Sequence, residues 1–348
     1  MEILLSKSPA VGSLRKKSIT DFYDNCVDNA DSLNIATGYI TNDSIAELNH
    51  ILSFKENFKI QLLIGMHYIE RFTELQYNSL RRLNDLLLER ECGNIYLSTN
   101  QLYHGKMYSF MKNGISVGGF IGSSNLGSFV GTSNDLIEAD IALYGDEALQ
   151  LNQSILGIID CIGTNFTDIP VITNFNEPEV KIFTDTPHVT PLSQESLNNY
   201  SSHRSGDIIR IPLKTEPKSN LNTYFGAGKI KGKYSRRNWY EVEIISQTFE
   251  NRDILPWVRE PNKNPHCHID VITYDGYQFE CSWQGTCGKN LRSSYDLAIL
   301  GRWIKGHMEN KGALTIGSPV TPAVLDSFGY HYICLQKTTD NKWYMWFE

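Results

Sequence analysis

No apolar run in this 348-residue sequence approaches the roughly 18 residues that a membrane-spanning helix needs. The opening MEILLSKSPAVGSLRKKS places its basic residues after a short apolar stretch, the reverse of a secretory leader. Paired cysteine motifs are also missing. Seven cysteines are scattered, odd in number and without CxxC spacing, which points to reduced thiols in a cytoplasm rather than to a disulfide frame. His266, Cys267, His268, Cys281 and Cys287 fit no standard zinc spacing, and strand alternation would scatter them to both faces, so no metal site and no cofactor is expected. There is no GxxxxGKS/T phosphate loop, so any use of ATP would come from another chain. Internal repeats and low-complexity tracts are absent.

What is present is the composition of a globular protein, 41% hydrophobic and 20% charged, long enough for two domains. The net charge of −7 argues against a nucleic-acid partner only until its distribution is read. Residues 1–170 carry 12 Lys and Arg against 20 Asp and Glu, whereas residues 210–311 carry 16 against 11. A basic stripe in the second half of an acidic chain is a local electrostatic footprint.

The first half alternates strand and helix signals. Strands are expected at 33–40, 58–65, 94–99 and 138–145, and helices at 42–52, 71–90 and 146–160. The 42–52 helix opens with Asn42 and Asp43 as cap candidates. Asn113-Gly114 between two alternating runs signals a hairpin. Periodicity fades from about 165 to 205, where Pro, Asn, Ser, Thr and Asp dominate as in a linker. Short strand signals follow at 207–213, 239–246, 268–275, 277–283, 330–337 and 342–347, with helical stretches only at 294–309 and 321–327. The expected domains are 1–170 and 196–348, joined by 171–195.

A lone His-x-Lys is common and carries nothing by itself. In LYHGKMYSF (102–110), however, His104 and Lys106 stand two apart on an expected strand, on one face, and GSSN (122–125) ends the strand after the hairpin. Lysine can neutralise the nonbridging oxygens of a phosphodiester, Ser123 and Asn125 can donate to them, and a histidine can attack phosphorus. Glu138, at the start of the next strand, could accept from the histidine ring and fix its tautomer.

His104-x-Lys106 followed by Gly122-Ser123-x-Asn125 resembles the HKD signature of the phospholipase D superfamily. It departs from that signature in two ways: Met111 stands where the usual aspartate follows the lysine, and the hairpin lengthens the interval to Gly-Ser. Both departures, with Glu138 following, resemble the phospholipase-D-like type II restriction endonucleases of the BfiI/NgoFVII group. The resemblance implies catalytic roles for His104, Lys106, Ser123, Asn125 and Glu138, and a metal-independent reaction through phosphohistidine. That chemistry uses two histidines, yet of nine in the chain only His104 lies in a His-x-Lys pattern. A homodimer with one composite site follows.

In the second half, KIKGKYSRRNWYEVE (229–243) and SWQGTCGKNLRSS (282–294) concentrate basic, amide and aromatic residues able to contact phosphates and base edges. The layout is similar to the B3-like DNA-binding domains. That similarity makes Lys233, Arg236, Arg237 and Asn238 candidates for one arm, and Gln284, Lys289, Asn290 and Arg292 candidates for the other. The implied architecture is an α/β phospholipase-D-like sandwich, a mixed sheet with flanking helices, ahead of a mainly β, B3-like pseudobarrel. The implied function is cytoplasmic, site-specific cleavage of double-stranded DNA, with a cognate methyltransferase and a separate ATPase or nicking protein as further partners and no membrane. Two other readings stay open: a DNA-binding regulator with an inert dimerisation domain, and a phospholipase-D-like phosphodiesterase without sequence specificity.

Overall fold

The computed structural model describes residues 2–6, 17–130, 137–176, 182–183, 186–226, 234, 237–245, 267–285 and 288–348. Contacts divide the chain into two units. One comprises Met1–Glu179, Ala227–Arg236 and Thr315–Gly317; the other comprises Val180–Gly226, Arg237–Leu314 and Ser318–Glu348.

The first unit is built on a nine-stranded mixed sheet. In chain order its elements are β1 (Glu2–Leu5), β2 (Lys17–Ser18), α1 (Ile19–Asn29), β3 (Ser32–Thr37), α2 (Asn42–Phe54), β4 (Lys59–Ile64), α3 (His67–Glu70), α4 (Glu74–Glu89), β5 (Gly93–Ser98), β6 (Lys106–Lys112), β7 (Ile115–Gly122), α5 (Gly127–Val130), β8 (Ala139–Leu143), α6 (Gly145–Ile162) and β9 (Gly163–Asn165). The sheet order is β2-β1-β8-β7-β6-β3-β4-β5-β9. Helical crossovers make β3, β4 and β5 parallel; the 113–114 hairpin makes β6 and β7 antiparallel, and β8 pairs antiparallel with β7 after residues 123–138.

Local sequence explains the element ends. The cap of α2 is Thr41 rather than Asn42 or Asp43, closing a capping box with Ser44, and Thr73 and Gln76 do the same for α4. Asn113 (φ 51°) and Gly114 (φ 79°) both take the left-handed conformation that a two-residue hairpin loop demands. One sheet face buries Ala36 and Leu63 under Leu151, Ile155 and Ile159 of α6. The other packs Tyr108 flat on Phe120, with ring centroids 4.4 Å apart, and sets Phe22 and Tyr23 of α1 edge-on against Phe120 and Phe110. Each such ring pair contributes about 0.5–1.5 kcal/mol beyond area burial.

The second unit is mostly strands curled into a half-barrel. Its elements are β10 (Thr190–Pro191), α7 (Gln194–Ser202), β11 (Arg204–Pro212), a 3-10 turn at Asn220–Phe225, β12 (Ile244–Ile245), β13 (Cys267–Thr273), β14 (Tyr277–Gln284), β15 (Asn290–Ser293), α8 (Ala298–Asn310), α9 (Pro322–Phe328), β16 (Tyr332–Thr338) and β17 (Trp343–Phe347). The strand order is β11-β16-β17-β13-β14-β15-β12, with β10 pairing the start of β14. Trp303 of α8 stacks on Phe347 at 4.2 Å and donates from Nε1 to Asp275, so its polar edge is satisfied inside the core.

Two expectations are corrected. Residues 194–202, expected to lack structure, form α7, which buries no residue and so shows no apolar period; Ser193 caps it. The strand expected at 239–246 shrinks to Ile244–Ile245 among the described residues. Trp239 and Tyr240 turn inward instead, because Trp239 Nε1 and Tyr240 OH donate to the buried Glu309 at 2.7 and 2.9 Å.

Candidate active site

The alternation of directions in the first sheet brings five chain segments to one end of it. The carboxyl ends of β3, β4 and β7 and the amino ends of β6 and β8 all lie there. His104, Lys106, Ser123, Asn125 and Glu138 belong to these segments, although up to 34 positions separate them in sequence.

His104 is not a strand residue, as the sequence had suggested. Pairing of β6 begins at Lys106 opposite Thr37, and Tyr103 N donates to the Gly65 carbonyl at 3.2 Å on the way in. Gly65 has to be glycine, since a Cβ there would lie 2.0 Å from the Tyr103 carbonyl oxygen. The two basic side chains nevertheless meet. Lys106 Nζ is 3.0 Å from His104 Nδ1, 3.2 Å from Nε2 and 2.8 Å from the His104 carbonyl oxygen. An ammonium can donate only to a ring nitrogen that carries a lone pair, so this geometry keeps lysine and imidazole within reach of one phosphate. His104 is exposed and Lys106 is buried. Burial pulls the Lys106 ammonium below the usual lysine range, and the charge of Glu138 partly restores it.

Asn125 faces the pair from the end of β7. Its Oδ1 accepts from Thr37 Oγ1 at 3.0 Å and from Tyr39 N at 3.3 Å, which turns the amide NH2 away as a donor. Ser123 Oγ donates to Glu138 Oε2 and accepts from Ala139 N at 3.1 Å, while Ser128 Oγ donates to Glu138 Oε1 at 3.3 Å. The expected hydrogen bond from His104 to Glu138 is therefore not made within one chain. The carboxylate instead holds the serine turn and lends its field to Lys106.

Asp140 supports this turn from behind, a role the sequence reading missed. It is 1% exposed and accepts from Ser124 Oγ at 2.5 Å and Ser124 N at 3.3 Å, while Tyr108 OH donates to the Ser124 carbonyl at 3.0 Å. Burial raises the Asp140 carboxyl above its ordinary range, and the Ser124 hydrogen bonds hold it back. Its only sequence signal is an acidic residue between apolar ones in EADIAL.

Of the candidate arm residues, Lys233 and Arg236 lie outside the described residues. Arg237 pairs with Glu241 at 3.1 Å, and Asn238 Oδ1 accepts from Tyr240 N at 2.8 Å, shaping the turn before β12. Pairing of β12 with β15 brings the bases of the two candidate arms side by side, although nearly fifty residues separate them in sequence. Gln284 and Lys289 flank the hairpin tip, where Gly285 (φ 78°) and Gly288 (φ 59°) turn the chain. Asn290 and Arg292 stand lower on the stem, and both donate to Glu243 Oε1. Asn290 is buried, so it braces the arm in this conformation rather than presenting itself at the surface.

Residues 17–169 match the family model described as the NgoFVII restriction endonuclease N-terminal PLD domain. Residues 199–339 match that of the NgoFVII C-terminal B3-like DNA-binding domain. Among solved structures, Nuc from Salmonella typhimurium, a phospholipase D family member, is 14% identical with a TM-score of 0.30 over 47% of this chain and 96% of its own. The archaeal chromatin protein TrmBL2, whose structure shows a novel mode of DNA binding, is 9% identical with a TM-score of 0.28 over 41% of this chain. The match to TrmBL2 spans about half of that protein's chain, 48%. No curated protein sequence matches. By its two family matches, which together take in most of its length, the chain belongs to the NgoFVII-type restriction endonucleases, pairing a phospholipase-D-like domain with a B3-like DNA-binding domain.

Proposed function

We propose that this protein is a site-specific type II restriction endonuclease that hydrolyses DNA through a phosphohistidine, without a metal ion, at a site shared by two copies of the chain. The observation that carries the reading is the convergence of His104, Lys106, Ser123 and Asn125 at one sheet end, with the Lys106 ammonium 3.0 Å from an imidazole nitrogen. In the first step a His104 nitrogen bonds to phosphorus while the bond to the departing deoxyribose oxygen breaks. The second copy's histidine gives that oxygen its proton. Water then attacks phosphorus, its proton passes to the same second histidine, and the N–P bond breaks. Lys106 and the Asn125 amide neutralise and hold the nonbridging oxygens throughout, the work a divalent cation does elsewhere.

In this proposal residues 1–170 cut and dimerise, 171–195 connect, and 196–348 read the sequence through the arms containing Arg237, Asn238, Gln284 and Lys289. The test is digestion of plasmid DNA in EDTA, with the ends of the products sequenced. Discrete fragments with uniform ends, lost in His104→Ala, are expected. Strict Mg²⁺ dependence would overturn the mechanism. Ends scattered over many sequences would favour an unspecific phosphodiesterase, and binding without cleavage an inert dimerisation domain.

A further inference from the structure

We infer that Gly38 and Tyr39, in the link from β3 to α2, form a clamp that sets the orientation of His104, making Tyr39 a positioning residue of the phosphoryl-transfer step proposed above, on which this inference rests. The nucleophilic imidazole is exposed; among the described residues its ring nitrogens meet the Lys106 ammonium, and no carboxylate hydrogen-bonds to it. A flexible lysine that must also hold the phosphate fixes a ring plane poorly, and ordering a side chain costs up to about 2 kcal/mol. Two further, independent contacts restrain the ring.

The first contact is a floor. A Cβ on Gly38 would lie 3.2 Å from both His104 Cα and His104 Cδ2, and 3.3 Å from the Tyr103 carbonyl oxygen. The imidazole therefore lies close over the Gly38 backbone, so a methyl group there would fit only if His104 or its neighbours gave by a few tenths of an ångström. The second contact is a wall. The Tyr39 ring meets the His104 ring edge to face, with centroids 5.5 Å apart at 82°.

The wall is itself held at three points. Tyr39 OH donates to Glu70 Oε2 at 2.8 Å. Its ring stands at 90° to His67, centroids 5.4 Å apart, and His67 is stacked on Phe72 at 4.8 Å and lies with Nε2 3.0 Å from the Ile40 carbonyl oxygen. Tyr39 N donates to Asn125 Oδ1 at 3.3 Å, so one residue ties the nucleophile to the amide that receives the phosphate. Displacing a reacting atom by about 1 Å costs on the order of 10²-fold in rate, and this sets the size of the effect.

The experiment is single-turnover cleavage by the full-length protein at saturating enzyme, with DNA affinity and thermal midpoint measured in parallel. Tyr39→Leu should slow cleavage roughly 10- to 100-fold while leaving DNA affinity within about twofold. Tyr39→Phe keeps the ring and should restore most of the rate, a rescue that a merely structural role does not predict when both variants melt alike. Glu70→Ala, at an exposed position, should cost less than the loss of the ring. A folded Tyr39→Leu that cleaves within twofold of wild type overturns the clamp. If that variant does not fold, Gly38→Ala decides: a Cβ 3.2 Å from His104 Cα and Cδ2 shifts the ring by a few tenths of an ångström and should slow cleavage severalfold, and an unchanged rate overturns the clamp equally. Cleavage that persists in His104→Ala would instead overturn the nuclease reading, and the clamp with it.

Discussion

Asp140→Ala removes the acceptor of two donors that have no access to water. Ser124 is 0% exposed, and its hydroxyl and amide donate to Asp140 at 2.5 and 3.3 Å. Each buried donor left without a partner costs about 1–3 kcal/mol, so the gross loss is about 2–6 kcal/mol. Burial disfavours the charged carboxylate, which is why its pKa is raised; deleting it returns part of that loss and leaves about 2–4 kcal/mol. For a unit of this size each kcal/mol moves Tm by roughly 2–4 °C, so calorimetry should show the first unit melting about 4–16 °C lower. Asp140→Asn keeps a carbonyl acceptor and carries no charge to desolvate, and it should stay within about 1 kcal/mol of wild type. Because Ser124 lies between Ser123 and Asn125, the alanine variant should also lose cleavage by more than its stability explains. An alanine variant that melts with wild type, or an asparagine variant as damaged as alanine, would refute this account of the turn.

Three further outcomes follow from the same geometry. In the proposed reaction Lys106 holds phosphate only when charged, and burial lowers its pKa, so the single-turnover rate should fall as pH rises, at a pH below the ordinary lysine value of about 10.4; a rate flat to that value would contradict it. Glu309→Ala removes the carboxylate that accepts from Trp239 Nε1 and Tyr240 OH and the larger of the two carboxylate charges that support buried Lys305, the other being Glu241, and denaturation should show a loss of about 3–5 kcal/mol, accompanied by weaker DNA binding through the displaced 237–245 segment. Lys289→Ala should weaken binding to all sequences and lower the salt slope by about 1, whereas Gln284→Ala should cost about 1–3 kcal/mol at particular base pairs, a difference that titrations against a panel of sites would reveal.

Much of the fold was legible because the physics that forms it is local. Asn113-Gly114 specifies its hairpin through left-handed backbone, and the apolar spacing of 71–90 and 146–160 announces α4 and α6. The polar helix α7 escaped because it buries nothing, so no period marks it. The residues that gather at this sheet end could be picked out by their spacing and chemistry, but their arrangement could not. Strand pairing starts only at Lys106, which leaves His104 off the strand, and Glu138 spends its oxygens on Ser123 and Ser128. Asp140 and Tyr39 act through partners 16 and 65 positions away, contacts that only the folded sheet creates. Asn290 was named as an arm candidate from composition, and its burial and its hydrogen bond to Glu243 exist only once β15 is paired.

The stereochemical course at phosphorus tests the central claim most directly. Single-turnover cleavage in ¹⁸O-water of a substrate with one chiral phosphorothioate at the scissile position reports how many displacements occur. Attack by His104 followed by attack by water inverts phosphorus twice, so the account predicts net retention of configuration. Net inversion would mean that water attacks directly, and the phosphohistidine step, with the role assigned to His104, would be wrong.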